Sequence, residues 1–317
     1  MQSIESLGLH CTGYQLGLNS YENRVYQVGL EGQASVVAKF YRPLRWSDAA
    51  ILEEHQFTLD LEDRHIPVVA PLTLDGESLH HFESYRFALY PLRTGRAPDL
   101  ENPLQLQQLG RFMGRIHALG ASERFHHRPT LDVQSFGDVS YDYLLDHDFI
   151  PTAISASYQL LVEELLNHIE DEFAAVNPHL IRLQGDAHIG NILWQHGLQG
   201  ELGSPFILDF DDARMGPAVQ DIWMFLSGDR MEMRASLNLL LSSYSEFYDF
   251  DVAELRLIEP LRTLRMLHHA AWLAKRWQDP VFQAAFPWFN TEHYWQEHLL
   301  AMQEQAALLQ EEPLQWI

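Results

Sequence analysis

Leu183 to Trp194 reads LQGDAHIGNILW, with Asp186 five residues before Asn191 in a short glycine-containing turn and the apolar Ile192-Leu193-Trp194 following at once. A second apolar run, Phe206-Ile207-Leu208, leads into Asp209, eighteen residues beyond Asn191. If the two runs are strands paired as a hairpin, Asn191 and Asp209 meet at one end of it. An Asn oxygen and a carboxylate, completed by waters and phosphate oxygens, make a sparse hard-oxygen set of the kind Mg²⁺ accepts. Asp186 is then a nearby carboxylate left off the metal, free to take a hydroxyl proton. Singly, Asp and Asn are ordinary turn formers whose side chains bond to local backbone. Their joint occurrence is what favours chemistry.

Upstream, the chain from Tyr14 to about Leu92 is strand-like, with GYQLGLNSYENRVYQVGL, ASVVAKFY and YRFALYPL separated by turn signals such as EGQ and LDGES. One helix interrupts at 47–61, with Ser47 as its N-cap. After the Pro- and Gly-containing PLRTGRAPDLENP, long amphipathic helices are expected at about 103–119, 158–173, 235–247, 253–277 and 291–310. The pattern predicts an α+β chain: a small β-rich lobe over 1–92, a larger, mostly helical lobe over 93–317, and a linker near 90–97. The motif strands lie inside the helical lobe.

A second constellation sits in the first lobe. Lys39 lies within SVVAKFY, apolar on both faces, where an unpaired ammonium would be costly and therefore wants an anion. The helix at 47–61 offers Glu53 and Glu54. Glu54 shares a stripe with Ala50, Phe57 and Leu61, whereas Glu53 lies with Ala49, Gln56 and Asp60. Glu54 is expected inside, as the partner of Lys39, and Glu53→Ala is expected to be close to silent. A strand Lys paired to a helix Glu is how kinases hold the α- and β-phosphates of ATP.

Composition narrows the class. Lys and Arg total 21 against 44 Asp and Glu, a net charge of −23, so there is no cation excess to release counterions from nucleic acid or to bind anionic membranes. The single cysteine, Cys11, cannot form an internal disulfide, which fits a reducing compartment. The first residues carry no basic flank or apolar core of a signal peptide, and no run approaches the about 18 apolar residues of a membrane span. A soluble, cytoplasmic monomer is expected.

QGDAHIGN followed by ILDFDDA resembles the catalytic loop and metal-binding Asp of the aminoglycoside phosphotransferase-like kinases. LNSYENRVYQV, VVAKFYRPLRW, ILEEHQF, FDDARMGPAVQDIWM and EPLRTLRMLHHAAWLAKRWQDPVF extend the likeness over nearly the whole chain to the bacterial stress response kinase A (YihE-type) protein kinases. The resemblance implies a bilobal protein-kinase-like fold with ATP as co-substrate and Mg²⁺ as metal. It makes Asp186 the catalytic base, Asn191 and Asp209 the Mg²⁺ ligands, Lys39 and Glu54 the ATP-positioning pair, and Ser20 part of the loop over the phosphates. Residues 90–95 become the adenine hinge, and Asp221 the brace of the catalytic loop. Two departures stand out: the first lobe has no G-x-G-x-x-G, and Gln184 replaces the usual His, although Gln can both donate and accept in its place.

The acceptor implied is a protein serine or threonine. A small hydroxyl compound of the aminoglycoside, choline or homoserine kind is the alternative, and a kinase-shaped binding module without turnover a more distant one. Acidic residues such as Asp211, Asp212 and the YDYLLDHD segment suggest a basic acceptor. D-x-D at 209–211 also matches a glycosyltransferase pattern, but three residues recur by chance in so acidic a chain. The His80-His81, His126-His127 and His268-His269 pairs lack zinc-ligand spacing. The segment from Asp209 to Asp221 holds no Ser, Thr or Tyr, so no activation-loop phosphorylation is expected.

Overall fold

The computed structural model describes residues 1–195 and 203–317. A five-stranded antiparallel sheet forms the first lobe: β1 (Cys11–Leu18), β2 (Arg24–Leu30), β3 (Val36–Phe40), β4 (His80–Phe82) and β5 (Tyr85–Pro91), in the order β1-β2-β3-β5-β4. A short helix, α1 (Gln2–Glu5), precedes it. Central β3 has Lys39 opposite Val25 on one side and Ala88 on the other. The long helix α2 (Asp48–Asp63) starts where Ser47 accepts the Ala50 N–H at 3.2 Å, the expected cap. Its inner residues Phe57 and Leu61 are buried in the core of the second lobe, so the helix ties the lobes together.

The second lobe contains α3 (Pro103–Gly120), α4 (Val139–Asp146), α5 (Thr152–Val176), α6 (Gln220–Trp223), α7 (Arg230–Tyr244), α8 (Ile258–Arg276), α9 (Pro280–Ala285) and α10 (Glu292–Leu308). Gly110 and Gly114 of α3 let the backbone of α7 approach at Leu240 and Tyr244, where a Cβ would collide with carbonyl oxygens. The expected helix at 253–277 divides: Val252–Leu257 is a 3-10 turn and α8 begins at Ile258. Pro260 explains the break, because proline fits the first turn of a helix but not its interior. The π-helical turn Gln134–Asp138 and α4 were not expected from the periodicity.

The second lobe also holds two small ribbons. β6 (Ile181–Leu183) pairs with β9 (Arg214–Gly216), and β7 (Ile192–Gln195) with β8 (Ser204–Ile207), both antiparallel. Ile192 faces Ile207, and the Leu208 N–H donates to the Asn191 carbonyl at 2.8 Å, so the hairpin brings Asn191 and Asp209 together as the sequence suggests. Among the described residues no helix is long and apolar enough to cross a membrane.

Candidate active site

The loop between β6 and β7 carries Asp186, and its shape is fixed from below. Asp221, fully buried on α6, accepts the N–H groups of Gln184 at 2.8 Å and Gly185 at 2.9 Å, while His117 of α3 lies 3.3 Å from the same carboxylate. Gln184 spans the two chemical loops. Its amide donates to the carbonyls of Leu208 and Asp209 at 3.1 and 2.8 Å, and its oxygen accepts the Asp186 N–H at 2.7 Å. Gly185, at φ +87°, passes against the Asp212 carbonyl where a side chain would not fit.

Asp209 follows β8 in the left-handed region, φ +50°, which turns its side chain out with about half of it exposed. Asn191 donates its amide to the Asp186 carbonyl at 3.0 Å, and among the described residues nothing donates to its Oδ1. One free amide oxygen and one accessible carboxylate, lining the same cavity, fit a divalent cation that completes its shell with water and phosphate oxygens.

Lys39 departs from expectation. Its Nζ lies 3.0 Å from Asp209 Oδ1 and 3.1 Å from Asp211 Oδ1, and no Glu54 oxygen comes within ion-pair distance. Burial disfavours the ammonium, but the charges of Asp209, Asp211 and Glu54 hold its pKa well above the usual range. Glu54 does face inward, 2% exposed, with Oε2 unpaired. Burial lifts its pKa to about 7 against the pull of Lys39 and Arg128. The helix phase read from the sequence is right; the pairing is not, because two carboxylates from the segment after β8 reach the ammonium instead.

Glu53 is also not idle. Its carboxylate accepts the backbone N–H groups of His126, His127 and Arg128 at 2.6, 2.7 and 3.0 Å, fastening the loop after α3. Arg128 in turn donates to the carbonyls of Ala213 at 2.7 Å, Phe210 at 3.4 Å and Asp211, and stacks on Trp46.

Two cavities meet at this point. The first, about 330 Å³, is walled by apolar side chains including Val25, Val37 and Leu193, by the strand end Tyr90–Arg93, and by Lys39. The second, about 620 Å³, contains Asp186, Arg45, Arg265, Trp272, Lys275 and Arg276 among its lining. Ser20 and Asp209 belong to both. Asp186 lies 2.6 Å from Arg265 Nη1, an ion contact without hydrogen-bond alignment, and 3.4 Å from His188 Nε2. Burial pushes its carboxyl upward, but His188 and Arg265 outweigh that and hold it at about 2. It is ionised at any working pH.

The loop over the cavities is pinned by Glu22. Its carboxylate takes the Trp272 indole N–H at 2.7 Å, Arg276 at 2.7 Å, Arg45 at 3.0 Å and Arg42 at 3.3 Å, and neighbouring Tyr21 packs on Phe286. Sequence reasoning missed this group and the arginines Arg45, Arg128, Arg214 and Arg265. A signal did exist: Arg265, His269, Trp272 and Arg276 recur at helical spacing, a polar stripe where a core stripe would be apolar.

The phosphotransferase enzyme family matches residues 15–258. Stress response kinase A of Escherichia coli (strain K12) is 43% identical over 99% of this chain and 94% of its own. The serine/threonine protein kinase RdoA of Salmonella typhimurium is 41% identical over 94% of this chain and 88% of its own. Among solved structures, an amicoumacin kinase in complex with AMP-PNP, Ca²⁺ and Ami superposes with a TM-score of 0.70 at 18% identity, covering 94% of this chain and 92% of that one. A microcompartment-associated aminopropanol kinase gives 0.69 at 15% identity, covering 93% and 91%. These likenesses bear on the fold.

Proposed function

Because the chain belongs to the phosphotransferase enzyme family and is a kinase of the stress response kinase A kind, we propose that it transfers the γ-phosphoryl group of ATP to a serine or threonine hydroxyl of a protein. The observation that carries this reading is the junction of the two cavities at Ser20 and Asp209, with Asp186 on the larger side. Adenine fits the apolar pocket between Val25, Val37 and Leu193, with the backbone of 90–93 as its hinge. We propose the boundary between lobes 1–92 and 93–317 at that strand end. Lys39 and the Ser20 loop attend the phosphates, and buried Glu54 keeps an alternative carboxylate within electrostatic reach of Lys39.

Asn191 and Asp209 would hold the divalent cation, which we assign as Mg²⁺ because a sparse set of hard oxygens suits it. The cation supplies charge neutralisation on the phosphate oxygens. Asp186 orients the acceptor hydroxyl and accepts its proton, and its low pKa suits a loose phosphoryl transfer in which positioning outweighs basicity. Segment 210–214 is already held by Arg128, Arg45 and Arg214, which supports activity without a phosphorylated activation loop. A small-molecule hydroxyl is the second reading, favoured by a 620 Å³ cavity in the range of ligand pockets. We further assign a monomer working in the cytoplasm.

The test is Asp186→Asn. Turnover should fall by about 10²–10⁴-fold, while ATP affinity stays within a few-fold. Loss of nucleotide binding would overturn the assignment of Asp186 as proton acceptor.

A further inference from the structure

The charges around the larger cavity are matched, with one exception. Asp209 and Asp211 hold Lys39; Asp211 and Asp212 hold Arg45; Asp212 also holds Arg214; Glu22 holds Arg276. The acids that suggested a basic acceptor are therefore already satisfied. Asp142, Asp146 and Asp148 do not line the cavity. Lys275 does, and among the described residues it has no carboxylate partner; its ammonium lies over the Tyr143 ring at 5.1 Å. Burial and the neighbouring Arg276 both work against its charge.

Arg265 is in a related position. Its one ion partner among the described residues is Asp186, the carboxylate that an acceptor hydroxyl has to reach. A neutral or basic acceptor competing for Asp186 would strand a guanidinium that is 38% exposed in the cavity wall. An acceptor with an anionic group beside its hydroxyl replaces what Arg265 gives up. Arg265 and Lys275 are ten residues apart on α8, about 15 Å along the axis. One small anion cannot serve both, whereas an extended peptide of about four to five residues spans that distance.

Resting on the kinase reading of this site, we propose that the acceptor is a serine or threonine within an acidic peptide segment, selected by Arg265 beside the hydroxyl and by Lys275 several residues away. The whole-chain charge of −23 does not forbid it, since exposed charges beyond a Debye length of about 8 Å are screened at physiological ionic strength.

The experiment measures initial rates with labelled ATP on three serine peptides whose flanks are acidic, alanine or basic. Wild-type kcat/KM should rank acidic, then alanine, then basic, with about tenfold or more between the extremes. Lys275→Glu should shrink or reverse the ranking through the peptide KM rather than kcat, and Lys275→Arg should restore it. Arg265→Gln should raise the KM for the acidic peptide more than that for ATP. A basic peptide used as well as the acidic one, or a ranking untouched by Lys275→Glu, overturns the acceptor proposal and leaves the kinase reading standing. ATP consumption without transfer to any peptide overturns it likewise. An Arg265→Gln variant impaired chiefly in ATP KM assigns that guanidinium to the nucleotide and overturns its proposed role. Absence of any ATP turnover by the wild type overturns the kinase reading itself.

Discussion

The two cavities that share Ser20 and Asp209 are built by opposite means. The smaller one owes its shape to strand backbone and aliphatic side chains, with Lys39 the buried cation at its inner end. The larger one owes its shape to long charged side chains brought from the loop between β1 and β2, the connection between β3 and α2, the segment after β8, and α8. A pocket made by backbone survives single substitutions. A pocket made by ion pairs is only as good as the least replaceable charge in it.

Asp209 and Asp211 sharpen that comparison most strongly, since both hold Lys39 yet differ in exposure, about half against almost none. Asp209→Asn should abolish cation-dependent nucleotide binding while the fold persists, measured by titration calorimetry with and without Mg²⁺. Asp211→Asn removes the carboxylate that Lys39 and Arg45 share and should cost about 3–5 kcal/mol of stability, as breaking a buried pair from one side does. If the two variants behave alike in both measurements, the distinction between accessible ligand and buried counter-charge is wrong.

A smaller effect is expected at the neighbouring pair on α2. Glu53→Ala leaves three backbone N–H groups without their acceptor and should lower stability by about 1–3 kcal/mol, seen in urea unfolding. Glu54→Ala should instead act on the nucleotide side, raising the ATP requirement. A silent Glu53→Ala would show that solvent can satisfy that loop.

The mildest prediction concerns a residue that lines neither cavity. Buried Glu254 accepts the Val219 N–H at 2.9 Å, and burial lifts its pKa from 4.5 to about 7 despite that bond. The folded protein then binds more protons than the unfolded chain between these values, so this group's contribution to stability declines as pH rises from 4.5 to about 7. Glu254→Gln lacks the term. Its stability relative to wild type should be greater at pH 8 than at pH 5, and an identical difference at both would remove Glu254 as the cause.

What the sequence made legible follows the same division. Period and caps located most of the long helices and the sheet, the β7–β8 hairpin joined Asn191 to Asp209, and the α2 stripe turned Glu54 inward. Periodicity tells which face a residue occupies but not what stands opposite. Lys39 meets a carboxylate 170 positions away, and Glu22 an indole 250 positions away, and nothing local to either end specifies the match. Glu53 sits on the polar side of its helix, and its partners are backbone amides, which carry no sequence signature at all.

The Glu22 cluster has a thermodynamic corollary. One carboxylate joins the loop between β1 and β2 to Arg276 and Trp272 of α8, in the wall of the larger cavity, and a ligand that shifts this loop in one cavity would be coupled to a ligand in the other. Such coupling is reciprocal: whatever factor an acceptor adds to ATP affinity, ATP adds to acceptor affinity. The total free energy of filling both cavities would then be the same whichever substrate entered first.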